Sequence, residues 1–85
     1  MILPTIHLNG TSKEQLLAPW HTTVHLLQKA QKSLQEAAPN GRDYYPQGAE
    51  AMRQAEAEHL TRMMRLEQLI KELDDMRWAI ADIGD

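Results

Sequence analysis

The chain contains no cysteine and no phenylalanine, and only two tryptophans and two tyrosines in 85 residues. Without cysteine there is no disulfide and no thiolate zinc site to reinforce a small fold. No apolar run approaches the roughly 20 residues that span a bilayer, so membrane insertion is not expected. The opening Met1-Ile2-Leu3-Pro4 lacks the basic and long apolar stretches of a secretory signal, and a cytoplasmic location is expected. Positive charge is also short: nine Lys and Arg face twelve Asp and Glu, a net charge of −3 with His neutral. Proteins that live on phosphate backbones carry a strongly basic face, so non-specific nucleic-acid binding is not expected. The deficit is local. Glu67, Glu72, Asp74, Asp75, Asp82 and Asp85 outweigh Lys71 and Arg77, leaving −4 in residues 67–85 and +1 in residues 1–66.

A core this small rarely supplies more than about 3–5 kcal/mol unaided. With disulfides and cysteine zinc excluded, oligomerisation is the remaining common support. The pattern of what is present predicts an all-α, antiparallel two-helix hairpin of a single domain, residues 1–85, with a short extended N-terminal arm, assembling into an oligomeric helical bundle. The arm covers 1–10: Pro4 blocks an early helix, Thr5-Ile6-His7-Leu8 alternates weakly, and Asn9-Gly10 signals a turn. Helix one is expected over 12–38, beginning with Thr11 or Ser12, where Thr11-x-x-Glu14 forms a capping box, and closed ahead of Pro39. Its stripe Leu17, Trp20, Val24, Leu27, Gln31, Leu34, Ala38 steps by 3 and 4, a heptad seam. Pro19 inside it predicts a kink or a regular start delayed to about residue 18. Residues 39–48 read as a loop, with Pro46 suited to the first turn of the next helix. Helix two is expected over 48–83, with the stripe Met52, Ala55, His59, Met63, Leu66, Ile70, Leu73, Met76, Ile80, Ile83, and Gly84 as its stop.

Helices of these lengths measure about 40 and 54 Å. Turned back tightly at the loop, they place Ala38 near Gly48 and Ser12 near Asp74. Helix two then overshoots by about two and a half turns, leaving Met76, Trp78, Ile80 and Ile83 for the arm to cover.

Few residues point to chemistry. His21-x-x-x-His25 places two imidazoles one turn apart, but no acidic residue follows at helical spacing to complete a metal site, so no metal is expected. His59 sits on the core stripe between Glu56 and Arg62; it reads as a ligand contact or a pH-sensitive core position, or as a core-edge histidine satisfied by Glu56 or a facing carbonyl. Met52, Met63 and Met76 fall on the stripe and read as packing. No Ser–His–acid or Cys–His order is present, and Glu58-His59 is not a zincin pattern. No enzyme and no cofactor are expected.

The strongest signal is Asn40-Gly41-Arg42-Asp43-Tyr44-Tyr45-Pro46-Gln47-Gly48, which holds half of the chain's aromatics. Arg42 can grip a phosphate in a bidentate fork. Tyr44 and Tyr45 can stack on a base, and Asp43 can accept from a ribose hydroxyl. With Gln47, and with Arg53, His59 and Arg62 on helix two, these residues form the predicted ligand-binding set. The structural alternative is equally weighted: the tyrosines plug the open end of the bundle, Asp43 caps helix two, and Arg42 pairs with Asp43.

Thr5-Ile6-His7-Leu8-Asn9-Gly10-Thr11-Ser12 and Asn40-Gly41-Arg42-Asp43-Tyr44-Tyr45, joined by heptad helices, resemble a family of small uncharacterised proteins of tailed phages and prophages; Pro19-Trp20-His21 departs from the regular helix expected there. The architecture is also similar to that of phage helical-hairpin sponges, the anti-CBASS and anti-Thoeris proteins, at the level of fold alone. The resemblance implies a non-catalytic homo-oligomer in the host cytoplasm that sequesters a nucleotide-derived immune signal. The alternative is an interaction protein that binds or inhibits a host protein through its bundle surface.

Overall fold

The computed structural model describes residues 1–84, and within them the chain is helical with no strand. Two long helices dominate, α1 (Lys13–Glu36) and α3 (Ala49–Ala81), with the single turn α2 (Gly41–Tyr44) between them.

Ser12, not Thr11, opens α1. Its backbone is extended and its hydroxyl accepts from the Gln15 N–H at 3.2 Å. The capping pattern is therefore Ser12-x-x-Gln15, one residue later than the box read from the sequence, and it leaves Glu14 in the first turn near the positive helix end. Pro19 does not delay the helix. The turn ahead of it is held from both sides: the Leu16 N–H donates to the Ser12 carbonyl at 2.9 Å, and Lys13 Nζ reaches the Ala81 carbonyl at 3.3 Å. The ring of Pro19 stands on the exposed side. At the far end, Ala37 and Ala38 donate to the carbonyls of Leu34 and Gln35, tightening the last turn two residues short of the expected end.

The segment read as a loop is mostly helical. Asn40 caps α2 by accepting from the Arg42 N–H at 3.0 Å. The chain then runs into a 3-10 turn, Tyr45–Gln47, which takes Pro46 in its own first turn rather than giving it to α3. Gly48 reverses the chain at φ 99° and ψ 163°, a conformation open essentially to glycine alone.

Polar contacts set how α1 lies against α3. The Gln31 amide donates to the Glu67 carboxylate, and Arg77 Nη1 donates to His21 Nδ1 at 3.3 Å. Ten residues back along α1 is thus ten residues forward along α3. Lys13 extends the same order to Ala81. This register corrects the expected one. The first turn of α1 is level with the last turn of α3, so nothing overshoots there. The surplus of α3 lies at its other end, where α2 and the 3-10 turn pack along its opening turns. A tight reversal does not occur because the connector spends residues 41–47 on helical turns before α3 begins.

The arm, residues 1–10, has no regular structure and closes with a turn in which the Gly10 N–H donates to the His7 carbonyl at 3.1 Å. The His7 ring lies so near Gly10 that a Cβ would stand 2.6 Å from it. Met1 and Ile2 line a cleft with Trp20, Glu72, Leu73 and Met76, so the arm folds back along the α1–α3 groove. It does not cover Trp78, which is 61% exposed.

Among the described residues, only Val24, Ile70 and Ile80 are buried. The other seam residues, among them Leu17, Trp20, Leu27, Leu34, Met63, Leu66, Leu73 and Met76, are half-buried. The molecule is a rod of 63 × 20 × 16 Å with a radius of gyration of 19.0 Å; a compact chain of this length measures about 12 Å. Its accessible surface is 6547 Å², against roughly 5,100 Å² for a compact protein of its mass.

Candidate functional site

The predicted ligand-binding residues fall into two groups, one in the connector and one on α3. In the connector, Arg42 is exposed and its guanidinium has no ion-pair partner among the described residues. The backbone of this turn is well held, since Asn40 accepts from the N–H groups of both Arg42 and Asp43 through its side chain and its carbonyl. Asp43 neither pairs with Arg42 nor caps α3, whose first residue follows Gly48 without a side-chain cap. Tyr44 is half-buried, while Tyr45 is 77% exposed and Gln47 is exposed. A plug for the bundle end would bury both rings; only Tyr44 is placed to act as one.

On α3 the two arginines of the predicted set are engaged locally. Arg53 donates to Glu50 through Nε at 3.0 Å and Nη2 at 2.7 Å, and Arg62 reaches Glu58 at 3.5 Å. Exposed pairs of this kind contribute little to stability, about 0.3–0.5 kcal/mol. Nine residues separate Arg53 from Arg62, which at 3.6 residues per turn puts them on opposite sides of the helix. His59 is half-buried on the seam and forms no hydrogen bond to Glu56 or to a facing carbonyl. The surface clefts include three lined by Ala57, Glu58, Thr61, Arg62 and Arg65; by Met1, Ile2, Trp20, Glu72, Leu73 and Met76; and by Pro19, Trp20, Thr23 and Leu73. Of the eight predicted residues, Arg62 alone lines any of the three.

The best-connected polar cluster was not singled out from the sequence. Arg77 donates to the Asp74 carboxylate one turn back, reaches across to His21 on α1, and lies with its guanidinium carbon 5.9 Å from the Trp78 ring centroid. A guanidinium has no acceptor, so in this contact His21 Nδ1 is the accepting atom. This commits the nitrogen of His21 to a cation. No group of three His, Cys, Asp or Glu able to hold a metal is present among the described residues. The Asp74-x-x-Arg77 spacing was the readable sign of this cluster; its partner on α1 depends on the register.

Among the described residues, no helix is long and apolar enough to cross a membrane. No protein-family model matches the chain, and neither a curated protein nor a solved structure matches it.

Proposed function

We infer that the chain is a non-catalytic interaction protein, an antiparallel helical hairpin that works as a homo-oligomer. The observation that carries this is the unfinished core. A seam that continues along both long helices buries only three residues, and the surface exceeds that of a compact protein of equal mass by roughly 1,400 Å². A standard interface takes about 800 Å² from each partner, so a second copy of ordinary interface size would remove more than half of the excess. Two copies present two connectors and one continuous helical surface to a further partner. Such a protein gains stability by mass action, so its melting temperature should rise with protein concentration. A melting temperature unchanged between about 1 and 100 µM would exclude the reading.

A second reading is capture of a nucleotide-like ligand at the connector, as the likeness to phage sponge proteins implies, in the host cytoplasm. It is favoured by the exposed Tyr45 and by an Arg42 guanidinium without an ionic partner, both on a turn whose backbone Asn40 holds. Cyclic dinucleotides or cyclic ADP-ribose isomers should then stabilise the protein. Arg42→Ala should weaken that binding by about 2 kcal/mol, near thirtyfold, through loss of a charge-assisted contact. Calorimetry showing equal affinity for parent and variant would remove the connector as the site.

A further inference from the structure

The charges on α3 distinguish one of its faces. Arg53, Arg62, Lys71 and Arg77 each contact a carboxylate three or four residues away on the same helix. Arg65 alone among the α3 cations has no such contact among the described residues. The sequence denies it one: Thr61, Arg62, Gln68 and Leu69 occupy the positions a turn away. Two α3 carboxylates, Glu56 and Glu72, are likewise without a hydrogen bond or ion pair among the described residues. Glu56 is nine residues from Arg65 and on the opposite side of the helix. Glu72 is seven residues on, on the same face. Between Arg65 and Glu72 on that face stands Leu69, 42% exposed. One cleft lies on the Arg65 side of it, lined by Ala57, Glu58, Thr61, Arg62 and Arg65. Another lies on the Glu72 side, lined by Met1, Ile2, Trp20, Glu72, Leu73 and Met76.

We propose that this face of α3 is the contact between two copies of the chain, with the α3 helices antiparallel about a two-fold axis beside Leu69. The proposal rests on the self-association inferred above and gives it a surface and a register. A two-fold contact must be self-complementary, and the pattern Arg65, Leu69, Glu72 is so when reversed. An axis between Gln68 and Leu69 sets Arg65 of each copy against Glu72 of the other and leaves the two Leu69 side chains beside the axis. The same operation brings Thr61 level with Met76, so each copy's cleft beside Arg65 receives the other's Met76 and Ile2, which is 92% exposed.

Charge decides the orientation. The C-terminal part of the chain carries −4 in residues 67–85. Parallel α3 helices would align these acidic ends, and like charges set side by side oppose association. Antiparallel helices instead place each acidic half against the other copy's Arg62 and Arg65.

Charge reversal tests the arrangement. Arg65 and Glu72 are both exposed, so Arg65→Glu and Glu72→Arg should leave the helical circular dichroism unchanged. Each single variant turns two attractions into two repulsions, and the dimer Kd should rise by about tenfold or more. The double variant R65E/E72R restores opposite charges and should return to within about threefold of the parent. Because the chain has no cysteine, Leu69→Cys gives an independent reading: mild oxidation should join two chains covalently through that position alone. A parent that dimerises while the single reversals leave its Kd unchanged, a double variant no better than the singles, or a Leu69→Cys protein that stays uncrosslinked would each overturn this interface while self-association stands. A parent that remains monomeric overturns both.

Discussion

Replacing Ile80 by alanine should cost about 3 kcal/mol of stability, enough to unfold much of the protein at room temperature. Ile80 is one of three buried apolar residues and has no solvent exposure. A core of three has no redundancy: each side chain carries a large share of the area removed from water, and the rod offers few neighbours that could collapse into a cavity. Leu26 is the control. It is also a large aliphatic residue, on α1, but it is exposed, and Leu26→Ala should change stability by less than about 0.5 kcal/mol. Urea midpoints at one fixed protein concentration measure both. Equal losses at the two positions would mean that the core is not where the burial pattern puts it.

Removal of residues 1–9 should lower stability by about 2 kcal/mol. Pro4 and Ile6 are half-buried, and Met1 and Ile2 line the cleft over Trp20, Leu73 and Met76. The truncation keeps Ser12, so the cap of α1 survives, and the loss reports on the arm's apolar contacts alone. The uncovered cleft should also broaden the distribution of oligomers, because an exposed apolar patch recruits further copies. A truncated protein that melts and sediments like the parent would show that the arm is not part of the packed structure.

The two long helices were legible in the sequence because their apolar residues recur at helical spacing. The register was not. A heptad stripe says which side of a helix faces its neighbour but is nearly unchanged when one helix slides by seven residues. The contacts that choose among those positions are polar, Gln31 with Glu67 and His21 with Arg77, and each of those side chains had other partners available in the sequence. The connector misled for a related reason. Asn40-Gly41 reads as a turn, and the same asparagine serves as a cap for α2. The unusual chemistry of Arg42, Asp43, Tyr44 and Tyr45 was plain; whether Arg53 and Arg62 could join it was a matter of counting. Nine residues put them on opposite sides of one helix, a sign present in the sequence numbering itself.

Sedimentation velocity of the full chain from about 0.5 to 100 µM tests the unfinished core most directly. The account predicts a folded species of at least two chains across the upper part of this range, with no well-folded particle of 9.7 kDa persisting at its top. A single helical monomer, stable and unchanged at every concentration, would contradict it.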